Sequence, residues 1–143
     1  MIHKPAPGKY RLEEQVGFHL RRAAQRHSAI FATHITDELT PTQWAALVKL
    51  AEFESLSQNL LGRETAMDAA TIKGVVDRLA KRGLVATAPD PEDGRRMRVS
   101  ITRDGLAAVA RGAGPATAVT VETLKPLSAT EQRQLVDLLR RIG

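Results

Sequence analysis

The chain of 143 residues contains no cysteine. Disulfides, zinc-thiolate sites and thiol redox sensing are therefore excluded. No apolar run approaches the roughly 18 to 20 residues that a membrane-spanning helix requires. The N-terminus, with Lys4, Lys9 and two prolines, lacks the apolar stretch of a secretory signal, so a cytoplasmic location away from membranes is expected. A nucleophile elbow, a phosphate-binding glycine-rich loop and a metal-ligand cluster are also missing, and neither an enzyme nor a bound cofactor is expected. Of the four histidines, His27 and His34 stand a heptad apart and His19 lies on the same helical stretch. None of these is at the i, i+4 spacing that brings two ligands together, so no metal site is expected.

What remains is a globular composition, 43% hydrophobic and 26% charged, in a length that suits one domain. The net charge is +5, unevenly spread. Residues 57–103 carry 9 cations against 6 anions, residues 1–27 carry 6 against 2, and residues 28–56 carry 1 against 4. This pattern suits polyanion binding, although a basic soluble surface has the same sum.

The basic region has a recognisable shape. Two extended runs flank Pro89 to Gly94, a cluster of Pro, Asp and Gly in which a sharp turn forms easily. In the return run Met97, Val99 and Ile101 alternate with Arg96, Arg98 and Ser100, which predicts one buried face and one cationic face. Upstream, Asp68 to Arg82 has Ile72, Val75, Val76 and Leu79 at helical spacing, with Gly83 where a helix would end. Ser57 to Thr65 predicts a shorter helix with Leu60 and Leu61 inward, joined to the next by Ala66 and Met67. Two short helices, a tight turn and a basic hairpin describe a winged helix-turn-helix, whose second helix enters the DNA major groove.

On these residues the chain resembles the MarR family of bacterial transcription regulators. The family's wing reads Asp-Pro-x-Asp-x-Arg followed by an aliphatic residue and a threonine; here Asp90, Pro91, Asp93, Arg95, Ile101 and Thr102 stand in register. Arg78-Leu79 and Gly83-Leu84-Val85 match the end of the family's recognition helix and the start of its wing. One branch of the family senses oxidants through cysteine, and this chain cannot belong to it by that chemistry.

The remaining pattern is helical, giving a mainly α fold with a small β-hairpin wing. Leu12 to Leu39 predicts one long helix with Leu12, Val16, Leu20, Ala23, His27, Ile30, Phe31 and Ile35 near one stripe. Thr40-Pro41-Thr42-Gln43 predicts the capped start of a second, with Trp44, Leu47, Val48, Leu50 and Ala51 on its buried side. Beyond Thr102 a further helix is expected to kink or break at Gly112, Gly114 and Pro115. The last helix opens with Ser128 and Glu131 as a capping box and carries Leu135, Leu138, Leu139 and Ile142 in a row. The expected organisation is a single MarR-like domain over 1–143, with a DNA-binding lobe over about 40–105 and dimerisation helices over about 10–39 and 106–143. In the family the terminal helices interleave between two subunits, so a homodimer presenting two recognition helices to a palindrome is implied.

Candidate DNA contacts follow from position. Arg95 at the wing tip can enter a narrow minor groove, and the family pattern implies that Asp93 orients it. Arg96 and Arg98 suit phosphate contacts or solvated strand positions equally. Ala69, Ala70, Thr71 and Lys73 occupy the first turns of the recognition helix, where Lys73 can reach guanine or phosphate and Thr71 can touch a base. Asp68 reads as an N-cap, and Lys81 and Arg82 as phosphate or solvent contacts. Ser57, Gln58 and Thr42 stand at helix starts, where they can bind phosphate or simply cap. The family commonly has a cleft for small, often aromatic or phenolic, anions between its dimer helices and DNA-binding lobe. His19, Arg22 and Trp44 are candidates for it, and equally for a core tryptophan with surface neighbours. The expected function is a ligand-released repressor binding double-stranded DNA. The rival is a winged-helix protein-interaction module that does not bind DNA.

Overall fold

The computed structural model describes residues 8–35 and 37–143; Lys4 of the basic N-terminal arm lies outside them. A 3-10 turn at Leu12–Glu14 leads into α1 (Val16–His34), followed by α2 (Pro41–Phe53), β1 (Ser55–Ser57), α3 (Gln58–Glu64), α4 (Ala69–Lys81), β2 (Val85–Pro89), β3 (Met97–Ile101), α5 (Arg103–Leu124) and α6 (Ala129–Ile142). Among the described residues no helix is long and apolar enough to cross a membrane.

Local chemistry sets most of these boundaries. Thr40 and Gln43 form the expected capping box on α2, with Pro41 inside its first turn. Ser57, Asp68, Thr102 and Ser128 accept the N3 amides of α3, α4, α5 and α6, so each of these helices starts with one orphan donor satisfied. Gly83, at φ 72, turns the chain out of α4 in the left-handed region that side chains disfavour.

The main core forms around α4. Ile72, Val75, Val76 and Leu79, the row read from the sequence, are all buried, packed with Leu47 and Leu50 of α2, Leu61 of α3, Val85 of β2 and Val99 of β3. Burial of side chains of this size contributes about 1.5 to 3 kcal/mol each, which makes this cluster the main source of stability. A second, smaller cluster joins Ile30 and Phe31 of α1 to Val119 of α5, with Trp44 packed against it.

Four expectations are corrected. The long helix over 12–39 is shorter: α1 stops at His34, and Asp37 and Glu38 take positive φ values of 65 and 52, which no helix accommodates. The hairpin is not alone, because β1 adds to the far side of β3 and gives a three-stranded antiparallel sheet in the order β1-β3-β2, with Leu56 opposite Val99. Val48, expected on the buried side of α2, is exposed, and Ala46 takes the core position instead. α5 runs from Arg103 to Leu124 without interruption, with Pro115 inside it. A proline in a helix interior costs about 3 kcal/mol, yet contacts on either side hold the rod. Trp44 lies against Gly112, where an added Cβ would overlap its ring, and Val119 is buried against α1. Gly112 is thus a seat for an indole rather than a break.

Candidate nucleic-acid interface

The wing tip is tied by its own acids. Asp93 Oδ1 accepts the Arg95 amide at 3.1 Å and the Arg95 Nε at 3.2 Å, while Asp93 Oδ2 lies 3.7 Å from Arg96 Nε. Asp90 accepts the Glu92 amide at 2.9 Å, and its other oxygen stands 3.8 Å from Arg98. The Arg95 amide, its side chain and then the Arg96 charge stabilise the ionised form of Asp93, holding its carboxyl below the usual carboxylate range. Arg95 itself is 92% exposed and, among the described residues, is held only through Nε, which aims the outer guanidinium edge away from the protein. Asp93 and Arg95 are thus in direct contact at the turn. Arg98 is half-buried beside Asp90, Arg96 is exposed, and Met97 lies on the wing at 41% exposure while Val99 alone of the alternating row is fully buried.

On α4 the buried row leaves Ala69, Ala70, Thr71 and Lys73 exposed. Asp68 caps the helix through the Thr71 amide at 2.7 Å, and that bond lowers its pKa. Lys73 pairs with Asp77 at 2.9 Å. An exposed i, i+4 pair contributes only about 0.3 to 0.5 kcal/mol, so a phosphate can compete for the ammonium.

These parts share one surface. Ser57, Gln58 and Asn59 line a cleft of about 180 Å3 with Arg95, Arg96 and Met97 of the wing. Asn59 also lines the next cleft with Asp68 and Ala69 at the start of α4. The wing, the start of α3 and the first turn of α4 are thereby continuous through Asn59. Asn59 is not marked in the sequence, because a lone asparagine in a seven-residue helix carries no spacing signal. Thr42 stands exposed at the start of α2 beside Thr40 and lines neither cleft. Arg82, expected at phosphate or solvent, donates its guanidinium to the backbone carbonyls of Asp37 and Glu38.

The three ligand candidates are spread out. His19 Nε2 contacts the Glu13 carbonyl at 2.6 Å, and Arg22 lies over the Phe18 ring at 5.6 Å. Trp44 packs with Ile30 and Phe31, eight or nine residues along α1 from Arg22, about 12 Å of helix. One chain does not bring them onto a common wall. An open groove of about 910 Å3 lies instead between α1 and α5, lined by residues that include Arg26, His34, Thr117, Val121, Glu122 and Lys125. Across it Arg26 donates to the Thr123 carbonyl at 2.7 Å, and His34 contacts the Glu122 carboxylate.

The chain is similar to known proteins over most of its length. A model of the MarR family matches residues 37–96. The HTH-type transcriptional repressor NicR of Pseudomonas putida is 39% identical over 134 residues, covering 93% of this chain and 85% of NicR. The crystal structure of a probable transcriptional regulator from Pseudomonas aeruginosa is 53% identical with a TM-score of 0.88, covering 93% of this chain and all of that one. BpsR of Bordetella bronchiseptica, whose DNA binding is regulated by 6-hydroxynicotinic acid, is 40% identical with a TM-score of 0.87, covering 94% of this chain and 97% of its own. The chain belongs to the MarR family of winged helix-turn-helix transcription regulators.

Proposed function

We propose that this regulator is a homodimeric repressor of a pseudo-palindromic operator, released by a small aromatic acid. The observation that carries the DNA-binding part is the continuous surface from Arg95 through Asn59 to Ala69, a cation held outward by Asp93 beside an exposed reading face. α4 enters the major groove with Ala69, Ala70, Thr71 and Lys73 toward base edges, and Arg95 enters the flanking minor groove. Ser57 and Gln58 meet the backbone between them. A lobe over about 40–105 carries this surface, and α1 with α6 pairs two lobes.

Dimerisation is supported by what the chain leaves uncovered. Leu12, Val16 and Leu20 at the N-terminal end, and Leu138, Leu139 and Ile142 of α6, are exposed large apolar residues, and α6 buries none of its own. Such rows are covered by a second copy in an isologous, two-fold interface. The effector class rests on BpsR, regulated by 6-hydroxynicotinic acid. A ligand that prefers a dimer with wrongly spaced recognition helices lowers operator affinity by linkage.

Fluorescence anisotropy against the DNA upstream of its own gene, with scrambled competitor and at two salt concentrations, tests this reading. Tight, competitor-resistant binding that weakens steeply with salt is expected, followed by release on adding 6-hydroxynicotinic acid or a related aromatic acid. Binding no better than to scrambled DNA, and insensitive to salt, contradicts it and favours the protein-interaction module.

A further inference from the structure

Three elements meet at one residue between α1 and α2. The Asp37 carboxylate accepts two bonds from Arg111 of α5, Nε to Oδ2 at 3.1 Å and Nη2 to Oδ1 at 3.3 Å. The Asp37 backbone carbonyl accepts from Arg82 Nη2, and the Glu38 carbonyl from Arg82 Nη1 at 3.4 Å. Arg82 is the C-cap of α4. The end of the recognition helix and the middle of α5 are therefore held by opposite sides of a single aspartate.

Two features mark this joint as built. Asp37 and Glu38 both occupy the left-handed region, a conformation that persists in non-glycine residues only where the surroundings over-determine it. The Asp37–Arg111 contact uses the two-point fork that fixes direction as well as distance. α5 is anchored on both sides of it. Gly105 sits so close under the Leu84 carbonyl at the root of the wing that a Cβ would overlap it, and Gly112, next to Arg111, seats Trp44. α5 thus touches the wing root, the joint and α2 in turn.

We propose that Asp37 is a positioning residue that sets the attitude of α4 relative to α5, and that DNA affinity depends on this fixed attitude. The proposal rests on the reading of α4 as the DNA-reading helix. A displacement of α5, whatever causes it, reaches α4 through the Asp37 carboxylate and the loop that Arg82 holds. The pair is partly exposed, so its contribution to stability is small and its removal leaves the fold intact.

The test uses the full-length protein with Asp37→Asn, which keeps a residue that tolerates positive φ and the carbonyl bound by Arg82, and with Arg111→Gln. Because the chain has no cysteine, Lys81→Cys on α4 and Ala113→Cys on α5, both exposed, accept spin labels without background. Labelled protein is diluted into unlabelled protein for pulsed dipolar distance measurement. A narrow α4–α5 distance distribution is expected in the parent and a broader one in both variants. Operator affinity in the unlabelled variants is expected to fall about fivefold or more in each, with the double variant no worse than the weaker single. A merely electrostatic effect on DNA has opposite signs, since Asp37→Asn removes an anion and Arg111→Gln a cation. Opposite shifts in affinity, or an unchanged distance distribution, overturn the proposal. If the parent shows no preference for its operator the DNA reading fails, and the distance measurement still decides whether the joint exists.

Discussion

The helices around α4 and the helices at the two ends of the chain are built on different terms. In the first region Leu47, Leu50, Leu61, Ile72, Leu79 and Val99 are almost wholly removed from solvent, and the strands close over them. In the second, α6 has no buried residue although its apolar row is as regular as that of α4, and the N-terminal half of α1 exposes Val16 and Leu20. The same amphipathic pattern is satisfied inside the chain in one case and left exposed in the other, where the proposed dimer would cover it. A lobe with its own core can keep its surface while the spacing between two lobes changes, and that division is what the proposed ligand-released repressor requires.

Four results would break or sharpen this contrast. Leu47→Ala, a cavity in the centre of the lobe, is expected to cost about 2 to 5 kcal/mol, read as a lowered midpoint in thermal or urea unfolding; an effect confined to oligomeric state would place the stabilising core elsewhere. Leu138→Lys with Ile142→Lys is expected to shift dimer to monomer in light scattering and to weaken operator binding while circular dichroism keeps the lobe's signal. A stable dimer in that variant would remove α6 from the interface. Arg95→Ala is expected to weaken operator binding by about 1 to 3 kcal/mol with no change in unfolding midpoint, because the side chain is 92% exposed and, among the described residues, bonds only to Asp93.

The smallest effect concerns pH. The Thr71 amide and hydroxyl lower the Asp68 carboxyl below its ordinary value of 3.8, so its charge stabilises the folded state above that value. This contribution is lost as pH falls through the lowered pKa. Asp68→Asn keeps a capping acceptor but no charge, and its small deficit relative to the parent is expected at neutral pH and absent in acid, as read by unfolding midpoints. A deficit that persists unchanged in acid would point to the shape of the cap instead.

The sequence made the lobe readable because its signals are local and redundant. Ile72, Val75, Val76 and Leu79 recur at helical spacing, Gly83 ends the helix, and the turn chemistry of Asp90 to Gly94 sits between two extended runs. The features missed depend on contacts distant along the chain. β1 has a single apolar residue, Leu56, and becomes a strand only because β3 lies beside it. The continuity of α5 through Pro115 depends on Trp44 and α1, and the loss of Arg82 to the loop depends on where Asp37 turns. The proposed effector site was least readable: His19 and Arg22 share an exposed stretch of α1, so periodicity could not tell a pocket wall from an interface.

The central claim is that two such lobes, paired through their end helices, read one operator. Hydroxyl-radical footprinting of the parent protein and Arg95→Ala on the bound upstream DNA tests it most directly. The account predicts two symmetric protected half-sites about one helical turn, roughly 10 bp, apart, with protection flanking each half-site lost in Arg95→Ala. A single unpaired site, or a footprint that Arg95→Ala leaves unchanged, would contradict it.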